Sequence, residues 1–351
     1  MHDLPKNWLV FRLSALGDVL LTTGVLRYWN KTRGWRFCVV TKEAFAPVLE
    51  NHPAVDAVIT ASPTELAMPE MNAWFSSLAK THQGWGLLDL HGTIRSNLLA
   101  LHWKGPVRRY AKMGMARRIF LLSGGRVCND ALRACNVPQR YALAVEAQAP
   151  AASELVPELY LTDAEQLWGK SFLANLFSNT VLKNDSEAAT GPVGIHPFAA
   201  HSHKAWPADR YKDLVARLDE RGIPWVVLGR GGPFFPDDPR DLTDKTSVRE
   251  SAALIAACSS LVTGDSGPMH LATAVGTPVI GLFGPTTKEW GFFPSGLHDR
   301  VLEMELPCRP CSLHGKKGCT RNGGCLARID VDTVMAALEE ARLGHAFQDR
   351  L

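Results

Sequence analysis

The apolar run Ser260-Leu261-Val262-Thr263 stops at Gly264-Asp265-Ser266-Gly267, and Pro268-Met269-His270-Leu271-Ala272-Thr273-Ala274 carries on with helical composition. A short buried strand that turns on glycines straight into a helix is the repeating unit of a parallel α/β sheet. The same unit fixes where a ligand goes, because open parallel sheets bind at the carboxyl ends of their strands. The exposed amides and dipole of a helix N-terminus there favour an anion such as a diphosphate. Gly264 and Gly267 permit close backbone approach, Ser266 is suited to cap the helix and to donate to a ligand oxygen, and Asp265 to accept from sugar hydroxyls. A helix cap without a ligand uses the same residue types, so the run alone leaves both readings open.

The alternation of strand and helix runs along the chain. Residues 8–13 read as a buried first strand, followed by the turn Ser14-Ala15-Leu16-Gly17-Asp18 and a helical pattern over 19–29. A strand over 36–41, a helix around 44–51 and a short strand at 57–59 come next. Gly86-Leu87-Leu88-Asp89-Leu90 is another buried strand, leading through His91-Gly92-Thr93 into a helix from Ile94. Residues 147–157 are rich in Ala and Pro, 163–177 are amphipathic, and the polar loop 183–191 precedes a fresh strand at 193–196. That shift in composition marks a domain boundary. The second half repeats the pattern, with helices over 209–221, 248–258 and from 267, strands at 225–228, 260–263 and 278–282, and a last helix over 331–342. The expected organisation is an N-terminal domain over 1–160, a second domain over 161–330, and a C-terminal helix and tail over 331–351. Both domains are expected to be α/β and doubly wound, facing a cleft; 351 residues suit two cores better than one.

With 46% hydrophobic and 21% charged residues, disordered and fibrous classes are excluded. No apolar stretch approaches the roughly 20 residues of a membrane span, and the N-terminus lacks a signal-peptide pattern. A cytoplasmic location with reduced cysteines is expected. Net charge is only +3, yet residues 90–129 contain no Asp or Glu and hold Arg95, Lys104, Arg108, Arg109, Lys112, Arg117, Arg118 and Arg126. Such a stretch is either a local field for an anionic partner or a solvated helix face. The arginines lack the interleaved stacking aromatics of a nucleic-acid surface, so nucleic acid is not expected as a partner.

Two further segments carry chemistry. Gly17-Asp18 puts a carboxylate just past the first strand. It reads as a general base, which must lie within hydrogen-bond reach of the attacking hydroxyl, or as a helix-start carboxylate stabilised by the dipole. Residues 196–207 run from a strand end to Lys204-Ala205-Trp206-Pro207, where Lys204 is a point-charge phosphate ligand or a solvated loop lysine. Dinucleotide and P-loop fingerprints are missing. Ser14-Ala15-Leu16-Gly17 has one glycine where three are needed, and Phe234 takes the third glycine position after Gly229-Arg230-Gly231. A nicotinamide oxidoreductase and an NTPase are therefore not expected.

Taken together, these segments resemble glycosyltransferase family 9, whose best-known members are ADP-heptose:lipopolysaccharide heptosyltransferases. The likeness is carried by Leu13-Ser14-Ala15-Leu16-Gly17-Asp18-Val19-Leu20, Asp89-Leu90-His91-Gly92, Lys204-Ala205-Trp206-Pro207, the run from Gly264 to Ala272, Gly276-Thr277-Pro278-Val279 and Leu282-Phe283-Gly284-Pro285-Thr286. The resemblance implies a GT-B fold, two Rossmann-like domains facing an interdomain cleft, with acceptor on the first and nucleotide-sugar on the second. It implies inverting, metal-independent transfer of a heptose or related sugar from an ADP-sugar to a lipopolysaccharide core, with no cofactor required. Asp18 would be the catalytic base. Lys204, Asp265, Ser266, Gly267, Pro268, Met269 and His270 would bind the donor, and Gly17, His91, Arg95, Arg109 and Arg117 the acceptor. The partners implied are an ADP-linked donor and an anionic lipid-linked saccharide, with peripheral contact at the inner face of the cytoplasmic membrane. Two positions depart from the pattern: Ala199 and Ala200 stand where some members carry hydroxyls, and no acidic residue follows Gly229 before Asp237. The alternatives are another nucleotide-sugar donor, a GT-B sugar-nucleotide epimerase, which would turn over without an acceptor, and an inactive sugar-nucleotide or glycan-binding module. A pure binding module has no use for the Asp18 base.

Four of the eight cysteines, Cys308, Cys311, Cys319 and Cys325, crowd into one segment with His314. That density suits a small structural zinc or iron–sulfur site, although the second pair is not Cys-x2-Cys. Cys38, Cys128, Cys135 and Cys258 read as ordinary buried thiols.

Overall fold

The computed structural model describes residues 4–178, 191–313, 315, 319 and 324–348, with 343–348 in backbone only. His314 and most of the polar loop expected at 183–191 lie outside the described residues. The chain forms two compact units, Met1–Met113 with Cys135–Tyr160, and Gly114–Ala134 with Leu161–Leu351.

In the first unit, Trp8, Leu9, Val10 and Phe11 are fully buried on both faces, as a central parallel strand requires. They belong to β1 (Asn7–Phe11), which leads into α1 (Leu16–Arg33), β2 (Arg36–Lys42) and β3 (Val55–Ala61). The helix expected around 44–51 is instead a 3-10 segment, Glu43–Leu49; Pro47 within it removes a backbone donor and shortens the turn. Next come α2 (Glu70–Thr81), β4 (Gly86–Asp89), α3 (Ile94–His102) and β5 (Val107–Arg109). The five strands are parallel in the order β3-β2-β1-β4-β5.

Helix α1 is buried along most of its length and ends at Gly34 with φ 65°, whose amide donates to the Asn30 carbonyl. Gly24 lies where a Cβ would stand 2.4 Å from the carbonyl oxygens of Leu155 and Val156, so the helix seats directly on backbone.

After β5 the chain leaves this unit. Helices α4 (Gly114–Leu122) and α5 (Asn129–Arg133) group with the second unit, and the chain returns with α6 (Val137–Ala142). The segment 114–134 therefore departs from the expected grouping of residues 1–160. Its anchors explain why: the Phe120 ring lies 5.8 Å from that of Trp290, and Arg133 pairs with Glu289 at 2.6 Å.

The second unit continues with α7 (Asp163–Leu176), β6 (Val193–His196), α8 (Ala208–Arg221), β7 (Trp225–Val227), α9 (Val248–Ala256), β8 (Ser260–Gly264), α10 (Gly267–Ala274), β9 (Val279–Phe283), β10 (Arg300–Glu303) and α11 (Val331–Gln348). Its five strands are also parallel, in the order β10-β9-β8-β6-β7. Helix α11 packs Val334, Met335, Leu338 and Ala341 into this unit's core, so it is part of the unit rather than a separate tail.

Strand order reverses beside β1 in the first sheet and beside β6 in the second. These are the topological switch points, where the loops after neighbouring strands diverge and leave room for a ligand. Asp18 follows β1 in the first turn of α1, and Asp265 and Ser266 follow β8, next to β6.

Candidate active site

In the first unit, Asp18 sits in the first turn of α1, where its Oδ2 accepts from the Ala15 amide at 3.3 Å. The same oxygen lies 2.5 Å from Nη2 of Arg12, and Oδ1 accepts from the Tyr141 hydroxyl at 3.2 Å. Arg12 is buried, donates through Nη1 to the Leu90 carbonyl at 2.6 Å, and stands 5.6 Å from the Tyr141 ring centre. Burial pulls the pKa of this guanidinium down, but Tyr141, Asp18 and Tyr110 more than offset it, leaving the pKa above its ordinary value. The carboxylate is thus fixed by a permanent cation and a phenol, the two groups that hold its lone pairs in place.

Around it, Asp89 at the end of β4 accepts from the amides of His91 at 3.0 Å and Gly92 at 2.8 Å, which shapes the turn after the strand. Arg109 approaches Asp89 at 3.5 Å. Burial, then the charges of Arg12 and Lys112, lowers the His91 pKa to about 4, so its ring is neutral near pH 7. Its Nδ1 is buried with no hydrogen-bond partner among the described residues. Arg95 is exposed and close enough to contribute to the field at His91. Asp18, Gly17, His91, Arg95 and Arg109 are therefore gathered in one unit. Arg117 is not among them. It belongs to the second unit, where it donates to the Trp290 carbonyl at 2.9 Å and lies 5.5 Å from the Phe292 ring.

In the second unit, Trp206 is buried, donates to the Ile329 carbonyl at 3.0 Å and meets Tyr211 edge-on at 4.9 Å. This anchor fixes the loop that carries Lys204. The lysine Nζ lies 2.5 Å from Asp265 Oδ2, which also accepts from the Thr286 hydroxyl at 2.8 Å. Gly264 is required here, since a Cβ would stand 2.9 Å from the Lys204 carbonyl. Lys204, expected as a phosphate ligand, is thus paired with a carboxylate.

Ser266 is the N-cap of α10 by backbone, yet its side chain caps no amide. Its hydroxyl instead meets Thr263 Oγ1 at 3.0 Å and His196 Nδ1 at 3.4 Å, so the expected cap is corrected and the amides of the first turn are not used by it. Burial lowers the His196 pKa to about 4, which keeps this ring neutral and able to accept. Gly267 and Pro268 are half-buried at the mouth of the turn. Met269 is fully buried in the core, and His270 is buried with Phe292 at 6.2 Å between ring centres.

The profile of glycosyltransferase family 9 (heptosyltransferase) matches residues 86–320. The chain belongs to glycosyltransferase family 9. Within the family, it is 32% identical over 163 residues to lipooligosaccharide heptosyltransferase 2 of Haemophilus influenzae, which covers 41% of this chain and 44% of that protein. The match thus spans less than half of that relative's length. It is 27% identical over 345 residues to lipopolysaccharide heptosyltransferase 1 of Pseudomonas aeruginosa, covering 89% of this chain and 87% of the relative. The fold is similar to the solved structure of Escherichia coli ADP-heptose lps heptosyltransferase II, with TM-score 0.69, 22% identity, and 97% and 99% of the two chains covered. This is the GT-B fold of the family 9 enzymes.

Several of the residues that surround these side chains within each unit are not evident from the sequence. Arg12 and Tyr141 frame Asp18, and Tyr141 arrives from 123 positions away. Arg309, with its side chain 5% exposed, donates to the carbonyls of Gly284 (2.5 Å), Met304 (2.5 Å) and Thr286 (3.1 Å) and pairs with Glu303 at 2.7 Å. It braces the loop from which Thr286 reaches Asp265. Asp244, at φ 60°, accepts from the amides of Gly232 at 2.8 Å and Gly231 at 3.4 Å, bringing a carboxylate to the glycine turn that lacks one in sequence. The signal for Thr286 was its place in the Gly284-Pro285-Thr286 run.

Cys308, Cys311 and Cys325 are half-buried, Cys319 is exposed, and all four are free thiols. Burial first, then Cys325, Cys308 and Cys319, raises the Cys311 pKa, so the four lie within electrostatic reach of one another. Among the described residues, no three His, Cys, Asp or Glu side chains are disposed to hold a metal ion. Of the other four cysteines, Cys38 and Cys258 are buried, while Cys128 and Cys135 are half-buried, so only the first two fit the expectation of ordinary buried thiols.

Proposed function

We propose that this chain is an inverting heptosyltransferase that transfers a heptose from an ADP-linked donor to an anionic, lipid-linked saccharide of the lipopolysaccharide core. The observation that carries the reading is Asp18: a carboxylate at the switch point of the first sheet, held by Arg12 and Tyr141 and facing the turn of the neutral His91. A carboxylate fixed by two partners keeps a lone pair oriented for a proton, as a general base must. Asp18 takes the proton from the acceptor hydroxyl while that oxygen bonds to the anomeric carbon. The bond from that carbon to the diphosphate breaks from the opposite face, so configuration inverts. The charge appearing on the departing nucleoside diphosphate is met by Lys204 and the first-turn amides of α10, which makes a divalent cation unnecessary. Asp265 and His270 contact the donor sugar or phosphate, and His91, Arg95 and Arg109 the acceptor.

The test is a transfer assay with ADP-heptose and a phosphorylated, acidic core acceptor, with and without a chelator, read by mass spectrometry. A product heavier by one heptose, with equimolar ADP and no loss on chelation, is expected. Donor turnover without acceptor would assign an epimerase. Activity only with another nucleotide-sugar would replace the donor, and loss on chelation would overturn metal independence.

A further inference from the structure

Helix α4 has two faces. Its inner face is used up in folding: Phe120 is 3% exposed against Trp290, and Arg117 donates to the Trp290 carbonyl. Its outer face carries Met115, Ile119 and Leu122, which are 75, 40 and 87% exposed and recur at the i, i+4, i+7 spacing of one helical stripe. Arg118 lies on the same face, and after the Gly124-Gly125 turn come Arg126, also exposed, and Val127, 50% exposed. Neither Arg118 nor Arg126 has an ion-pair partner among the described residues, and no Asp or Glu occurs between residues 90 and 129. Burying these apolar groups would release free energy that the folded chain leaves unused.

We propose that the outer face of α4 lies on an anionic lipid bilayer, with Met115, Ile119 and Leu122 entering the headgroup boundary and Arg118 and Arg126 pairing with lipid phosphates. A short amphipathic helix with large apolar groups on one side and arginines beside them is built to lie in such an interface rather than to cross it. Arginine stems extend to keep the charge at headgroup level while the apolar groups go deeper. A second copy of the chain fits the face less well. Three side chains fall well short of the roughly 800 Å² per partner of a stable interface, and self-association would oppose like charges. The choice of a bilayer rests on the lipid-linked acceptor proposed above; the exposed stripe and its charge do not.

The test uses the full chain and sedimentation with vesicles of phosphatidylcholine alone or with phosphatidylglycerol, without donor or acceptor, so that it is independent of transfer activity. Binding to the anionic vesicles and little to the neutral ones is expected, weakening as salt rises. The triple variant Met115→Ser, Ile119→Ser, Leu122→Ser is expected to lose at least tenfold in partitioning, with an unchanged thermal midpoint because the inner face is intact. The pair Arg118→Glu and Arg126→Glu is expected to lose roughly fivefold or more per charge. Equal binding to neutral vesicles, wild-type partitioning by either variant, or a wild-type oligomer that becomes monomeric in the triple variant would each overturn the proposal.

Discussion

Asp18→Asn changes one oxygen into an amide and keeps the shape, so it separates charge from packing. In the native chain one oxygen faces Arg12 at 2.5 Å and the other accepts from Tyr141 at 3.2 Å. The variant must serve both from a single oxygen and presents an amide N–H to a guanidinium that cannot accept it. The Arg12 side chain is 6% exposed and that of Asp18 23%, so the pair is buried on one side and partly wet on the other. Removing one partner of a fully buried pair costs about 3–5 kcal/mol, and the partial exposure reduces this to about 2 kcal/mol. At about 2–4 °C per kcal/mol for a body of this size, the midpoint should fall about 4–8 °C. Loss of a general base costs about 10²–10⁴ in rate. The assay is the initial rate of ADP release, beside ADP affinity by calorimetry and a thermal melt. ADP affinity should survive, because Lys204 and α10 belong to the other unit. Tyr141→Phe, which removes one bond and no charge, should cost less than tenfold in rate. A rate within a few-fold of wild type in Asp18→Asn would refute the base, and an unchanged midpoint would refute the structural weight given to the Arg12 pair.

The remaining predictions are briefer. Arg309→Lys keeps the charge but not the fork that meets four acceptors; donor KM is expected to rise roughly tenfold, about 1.4 kcal/mol, with kcat and acceptor KM changed far less, and an unaltered donor KM would remove Arg309 from the positioning of Asp265. Gly24→Ala gains about 1 kcal/mol of helix propensity but sets a methyl 2.4 Å from two carbonyl oxygens, so overpacking of about 1–3 kcal/mol should win and the melting midpoint should fall rather than rise. His196 and His91 are held neutral, with pKa values lowered to about 4, and burial also lowers that of His52. The unfolded chain takes up these protons near pH 6.5, so stability is complete above that pH and is lost as pH falls toward 4; His196→Gln should flatten the midpoint-versus-pH curve in that window, and a slope equal to wild type would assign the acid sensitivity elsewhere.

Central strands were legible because both their faces are apolar: residues 193–196 and 260–263 leave no alternative reading. β5 was not, since Val107-Arg108-Arg109 is an edge strand whose arginines carry no apolar signal. Helix α4 lay hidden inside the acid-free stretch, which reads as charge before it reads as periodicity. At the site, Asp18 and Asp265 could be named because each sits at a strand end beside a helix start, whereas Lys204 was named by the resemblance alone, its loop position favouring a solvated lysine. What could not be read was pairing. That Lys204 spends its charge on Asp265, or that Ser266 turns from its helix toward His196, depends on contacts between loops 60 to 70 residues apart. Sequence locates such groups singly, and only the fold shows which of them neutralise each other.

The excursion of residues 114–134 into the second unit has a consequence for how this chain can be divided. A fragment ending at 160 would carry Phe120, Arg117 and Arg133 without Trp290, Phe292 and Glu289, the groups that hold them. A fragment beginning at 161 would expose Trp290 and leave Glu289, 4% exposed in the whole chain, without its arginine. A fragment ending at 160 would keep the whole first unit but leave residues 114–134 without their packing partners, so recombination between relatives at the apparent boundary should yield less stable chimeras unless residues 114–134 match the C-terminal part.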